Sequence, residues 1–164
     1  MFAPWKKIAV SLSAAALLNA GAGGALAQDH RHAHDHGKPA QLALDNGKKW
    51  TTDDNLRLGM SRIRDALAAE LPAIYSGKAT AGQYRALAQE TNEQIAFIVK
   101  HCKLEQKMDA VFHIVLADIV AGSDAMMAQG EGEARKGAEK IARALDSYSA
   151  YFDHPGWDVA KHAH

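Results

Sequence analysis

From residue 53 onward, apolar residues recur at spacings of three and four in four successive stretches, the period of amphipathic helices. The first seam is Leu56, Met60, Ile63, Leu67, Leu71 and Ile74. It predicts a helix from about Asp53 to Tyr75, with Thr51 or Thr52 as N-cap and Asp53 and Asp54 at the favourable positive end of the dipole. Pro72 should kink its last turn, and Gly77 marks its stop. The second seam is Tyr84, Leu87, Thr91, Ile95, Ile98 and Cys102, opened by Thr80-Ala81-Gly82-Gln83, a capping box.

A very short turn at Lys103-Leu104 precedes the third stretch, which starts near Glu105. Its seam is Met108, Phe112, Val115, Ile119, Gly122 and Met126, widened by Val111, Ile114, Leu116 and Val120, so this helix should be the most buried. Gly130 and Gly132 punctuate the next connection. The fourth stretch runs from about Glu133 to Asp153 with seam Ala134, Ala138, Ile141, Leu145, Tyr148 and Phe152, and Pro155-Gly156 ends it. Strand signals are absent. Four helices of similar length with short connections predict an all-α fold: an up-down-up-down antiparallel four-helix bundle over residues 51–157, with a C-terminal tail at 158–164.

The first 27 residues have another pattern. Lys6 and Lys7 precede an apolar run from Ile8 to Leu18, and Ala25-Leu26-Ala27 is the small-residue pattern of a cleavage site. This predicts a secretory signal peptide cut after Ala27. The run is shorter than the roughly 20 residues that span a bilayer, and no later segment reads as long and uncharged enough to do so. The expected compartment is a bacterial periplasm. Residues 28–50 carry His30, His32, His34 and His36 at alternate positions, then Gly37, Pro39 and Gly47, and read as a His-rich flexible tail and linker.

Composition narrows the chemistry. The 164 residues hold 19 Lys+Arg against 19 Asp+Glu, so there is no broad basic field for nucleic acid. Removal of residues 1–27, which carry two Lys and no acid, leaves 17 bases against 19 acids, a net −2. One Cys excludes an intramolecular disulfide framework and a Cys₄ zinc site. Enzyme motifs are absent: no Gly-x-Ser-x-Gly elbow, no phosphate-cradling glycine loop, no His-Glu-x-x-His and no Glu-x-x-His pairs.

In an up-down bundle one pole gathers Met60, Cys102, Met108, Phe112, Tyr148 and Phe152, with His101, His113 and His154 beside them. Thiolate, thioether and imidazole together favour copper, with zinc and nickel tolerated by imidazole. The leading expectation is therefore a non-enzymatic protein that captures a transition metal with His30, His32, His34 and His36. Cys102, Met60, Met108 or His113 would hold the ion at the adjoining pole. The competing readings are ordinary ones. Met60, Met108 and Cys102 fill the core, His113 is a partly buried histidine with a satisfied hydrogen bond, and His154 caps the fourth helix as a cation. Trp50 and Trp157 close the bundle end by packing.

Gly47-Lys48-Lys49-Trp50, Leu56-Arg57-Leu58-Gly59-Met60, Cys102-Lys103-Leu104, Asp109-Ala110-Val111-Phe112-His113 and Phe152-Asp153-His154-Pro155-Gly156-Trp157 resemble a family of small exported proteobacterial helical proteins, some labelled DnrO-like. The resemblance covers roughly residues 47–157 and implies an exported helical protein without implying a particular activity. A second, architectural resemblance is to four-helix b-type cytochromes, which hold haem with a Met early in the first helix and a His late in the fourth. Met60 and His154 take comparable places. Against it, His154 lies about 200° around the helical wheel from Phe152, and Pro155 follows directly. Haem electron transfer and an adaptor protein with a periplasmic protein partner and no cofactor are thus the alternatives to metal capture.

Overall fold

Four helices form along the predicted seams: α1 (Asp54–Tyr75), α2 (Ala81–His101), α3 (Gln106–Met127) and α4 (Glu131–Tyr151). The computed structural model describes residues 41–128 and 130–157. The expected signal peptide, the His-bearing part of the tail and the C-terminal tail lie outside the described residues.

The start of α1 differs from expectation. Asp53, not Thr51 or Thr52, is the N-cap, its carboxylate accepting from Leu56 N at 2.7 Å. The two threonines are engaged elsewhere. Trp50–Thr51 forms a short strand, β1, paired in parallel with β2, Phe152–Asp153, and the Thr52 hydroxyl donates to Asp153 O at 2.5 Å. This two-residue ladder has no hydrophobic alternation to announce it. It also ends α4 at Tyr151, two residues earlier than the seam suggests.

Helix α1 runs through Pro72 to Tyr75, and its end is closed by Gly77 at φ +67° with Lys78 N and Ala79 N both donating to Ala73 O. The capping box of α2 is formed as expected, Thr80 and Gln83 each bonding the other's backbone N–H. Helix α4 begins two residues before the predicted start, with Gly130 at φ +120° as its cap, so Gly132 lies inside the helix rather than in the turn.

The core follows the seams, and α3 alone buries nine residues. Val120, expected to widen its apolar face, is exposed instead. By length and composition α3 could cross a bilayer, its most apolar window reaching a mean hydropathy of 1.5, contrary to the expectation that no later segment could. Nine of its residues are buried in the core. At Gly122 and Gly137 the backbones of α3 and α4 come so close that a Cβ on Gly122 would meet Gly137 O at 2.7 Å and Ile141 Cγ1 at 2.6 Å.

Hydrogen bonds gather the helix ends. Asn55 Nδ2 donates to His101 O at 3.1 Å and Lys103 N to Asp53 Oδ2 at 2.9 Å, which joins the start of α1 to the α2–α3 turn. The β1–β2 pair joins the same start to the end of α4.

Candidate functional site

The helix ends converge on an aromatic cluster at this pole. Phe112 of α3 meets Tyr148 of α4 and Phe152 of β2 edge-on, at ring-centroid distances of 6.5 and 5.8 Å. Tyr148 and Phe152 stack at 5.2 Å. All three are fully buried, the quadrupole-favoured edge and offset contacts adding to a large burial of area. The chain then turns at Pro155-Gly156 and lays Trp157 against Tyr148 at 4.9 Å, as packing of the bundle end required. Arg64 of α1 covers the Trp157 ring, its guanidinium carbon 4.9 Å from the ring centroid. Trp50 packs from the other flank and donates its indole N–H to Ala43 O at 2.7 Å.

His154 sits inside this framework rather than against the α4 terminus as a cation. Its Nδ1 is 3.0 Å from the Tyr148 hydroxyl and its Nε2 is 3.3 Å from Ser61 Oγ. Burial lowers its basicity, and Arg64 and Arg57 push the same way against the opposing Asp153. The ring is therefore held as neutral imidazole, with both nitrogens engaged by hydroxyls. Burial also drives the Tyr148 phenol well above its ordinary range, so Tyr148 keeps its proton. Arg57 donates to Thr52 O and pairs with Asp54, fixing the strand that faces the cluster.

Beside it lies a second polar contact. The Cys102 thiol lies in the field of the Asp53 carboxylate; burial, joined by the Asp53 charge, pushes the thiol up to about 12. Burial works against the Asp53 charge, but hydrogen bonds from Leu56, Lys103 and Asn55 outweigh it and hold the carboxyl below its ordinary value. Such a thiol is protonated at neutral pH.

The expected pole ligands separate accordingly. Met60 and Met108 are buried core residues. Cys102 and His113 line one small cavity of about 110 Å³, with Asp109 and Phe112 also on its wall. His113 is not partly buried: its side chain is 63% exposed, its Nδ1 lying 2.8 Å from Asp109 O and 3.4 Å from the Asp109 carboxylate. His101 turns aside and stacks on Phe97 at 4.9 Å. Among the described residues, no three His, Cys, Asp or Glu side chains are gathered as a metal site. His30, His32, His34 and His36 fall outside those residues. The haem pair is likewise apart in role, with Met60 enclosed in the core and His154 bonded at both nitrogens.

The sequence reading missed Ser61, Arg57 and Arg64 as partners of the C-terminal turn. A signal for them exists: residues 57, 61 and 64 are polar at spacings of four and three, one continuous stripe along α1. Compared with family models, curated proteins and solved structures, the chain matches none of them.

Proposed function

We propose that this is a non-enzymatic exported protein that captures and buffers a transition metal in the periplasm, copper foremost, with zinc and nickel as weaker cargoes. His30, His32, His34 and His36 act as the ligands. The observation that carries the reading is the tail itself: four imidazoles within seven residues, alternating with Arg31, Ala33 and Asp35. Neutral imidazole suits all three metals, and closely spaced donors on one segment can close on a single ion.

The pole geometry refines the ligand set. Met60 and Met108 are buried in the core, so the reading rests on the tail and leaves the bundle as its folded carrier. The test is Cu(II) titration of the protein without residues 1–27, alongside the same chain lacking residues 28–37. Loss of most of the affinity in the shortened chain supports tail capture; superimposable isotherms overturn it. Elemental analysis of protein taken from the periplasm without chelators then identifies the metal carried.

A further inference from the structure

The residues after Phe152 form a short segment that meets two helices through one titratable side chain. We propose that Asp153–Trp157 is an acid-released latch, which detaches from α1 and α4 when His154 is protonated while Phe152 and the four helices stay in place.

The first support is geometric. The His154 ring bridges hydroxyls from two different helices, Ser61 of α1 and Tyr148 of α4, and neutral imidazole satisfies such a bridge by donating at one nitrogen and accepting at the other. A cationic ring must donate at both, which forces both hydroxyls to accept and turns their own protons elsewhere. The charges facing the ring add to this. Arg64 and Arg57 approach from α1, Tyr148 faces it from α4 as a neutral phenol, and among the described residues Asp153 of its own segment is the one opposing charge that bears on it. Asp153 is exposed and its attraction is screened by water.

The second support is how little holds the segment beyond Phe152, which stays buried against Phe112 and Tyr148. Its backbone is tied by the two-residue ladder with Trp50–Thr51 and by the Thr52 hydroxyl on Asp153 O. Trp157 packs on Tyr148 and under Arg64, but its indole N–H is enclosed without an acceptor among the described residues. A buried donor left unpaired is costly, and opening returns it to water. Buried charge and unpaired donor thus favour release on the same side of the equilibrium. The helices are secured separately, by seams that do not involve His154.

The direction of the pH effect follows from linkage. The closed latch holds His154 below the ordinary 6.5, so opening takes up a proton and acid favours the open form. The experiment is a titration of the chain from about pH 7.5 to about pH 4.5, read by NMR at the indole N–H of Trp157, the amides of 153, 154, 156 and 157 and the helix amides. The Trp157 and latch signals are expected to change together, with a midpoint below 6.5, while the helix amides hold their positions. Arg64→Met, which keeps an apolar cover on Trp157, moves the midpoint upward. His154→Gln abolishes the transition.

A Trp157 response that survives His154→Gln, or helices that melt at the same midpoint, overturns the latch. If the glutamine variant fails to fold, Arg64→Met decides alone, and an unmoved midpoint refutes the proposal.

Discussion

The thiol of Cys102 lies in the field of the Asp53 carboxylate, so the cap of the first helix also acts on the last residue before the α2–α3 turn. Asp53 serves Leu56 N with one oxygen and Lys103 N with the other. The helix start is thereby fastened across the bundle.

Two substitutions separate the cap from the charge. Asp53→Asn retains a capping oxygen but removes the negative charge, so Cys102 should titrate closer to its ordinary 9.0 and alkylate faster with iodoacetamide at mildly alkaline pH. Its stability should fall, by less than in the alanine variant, because the amide keeps the bond from Leu56 N but cannot accept from Lys103 N as well. Asp53→Ala loses the cap as well and should cost about 1–2 kcal/mol in urea unfolding. Equal alkylation rates in the native protein and the asparagine variant would show that Asp53 does not restrain the thiol.

Acid should weaken the fold in two separate limbs. His154 is depressed in the folded state, so its contribution is complete above 6.5 and declines as pH falls from there to its folded value. Asp53 is also depressed, and as an acid its contribution is present above 3.8 and lost as pH falls through its folded value. Melting temperature against pH should therefore show a shallow upper step and a separate lower one. His154→Gln should erase the upper step only.

Gly122→Ala tests the close approach of α3 and α4. The added methyl meets backbone as well as Ile141, which cannot yield by a rotamer change. Overpacking of about 1–3 kcal/mol should exceed the helix-propensity gain of about 1 kcal/mol. Gly132→Ala is the matched control inside α4, with nothing within 4 Å of the new Cβ, and should stabilise by about 0.5–1 kcal/mol. Opposite signs for the two variants in thermal melts are the expected outcome.

Met60→Leu distinguishes core methionine from ligand. A volume-conserving exchange at this fully buried site should cost less than about 1.5 kcal/mol and leave copper stoichiometry unchanged. A lost equivalent of copper would return Met60 to the ligand set.

The helices were legible because their apolar spacing is long and regular, and bundle packing rewards the pattern that sequence periodicity reports. The pole was legible in membership but not in connection. Phe112, Tyr148 and Phe152 sit on predicted seams and do meet, whereas Ser61 reaches His154 from 93 residues away, a pairing no local pattern encodes. The Asp53 cap was hidden for a related reason. Thr51 and Thr52 are good caps locally, and only a partner strand from the far end of the chain withdraws them. Cys102 reads as a soft ligand by type. Its protonation state is set by burial and by Asp53, 49 positions earlier, and composition carries neither.

The pairing of Trp50–Thr51 with Phe152–Asp153 has a kinetic consequence. Thr52 and Asp153, at its edge, are 101 residues apart in sequence, so this contact closes a far longer loop than any helix-to-helix turn. Its entropy cost falls due before two residues of ladder can offset it, whereas α1–α2 and α3–α4 hairpins form across short connections. The ladder is therefore expected to form late in folding. Substitutions in it should leave the folding rate nearly unchanged and appear almost wholly as faster unfolding, which makes this small seam the governor of how long a folded molecule persists.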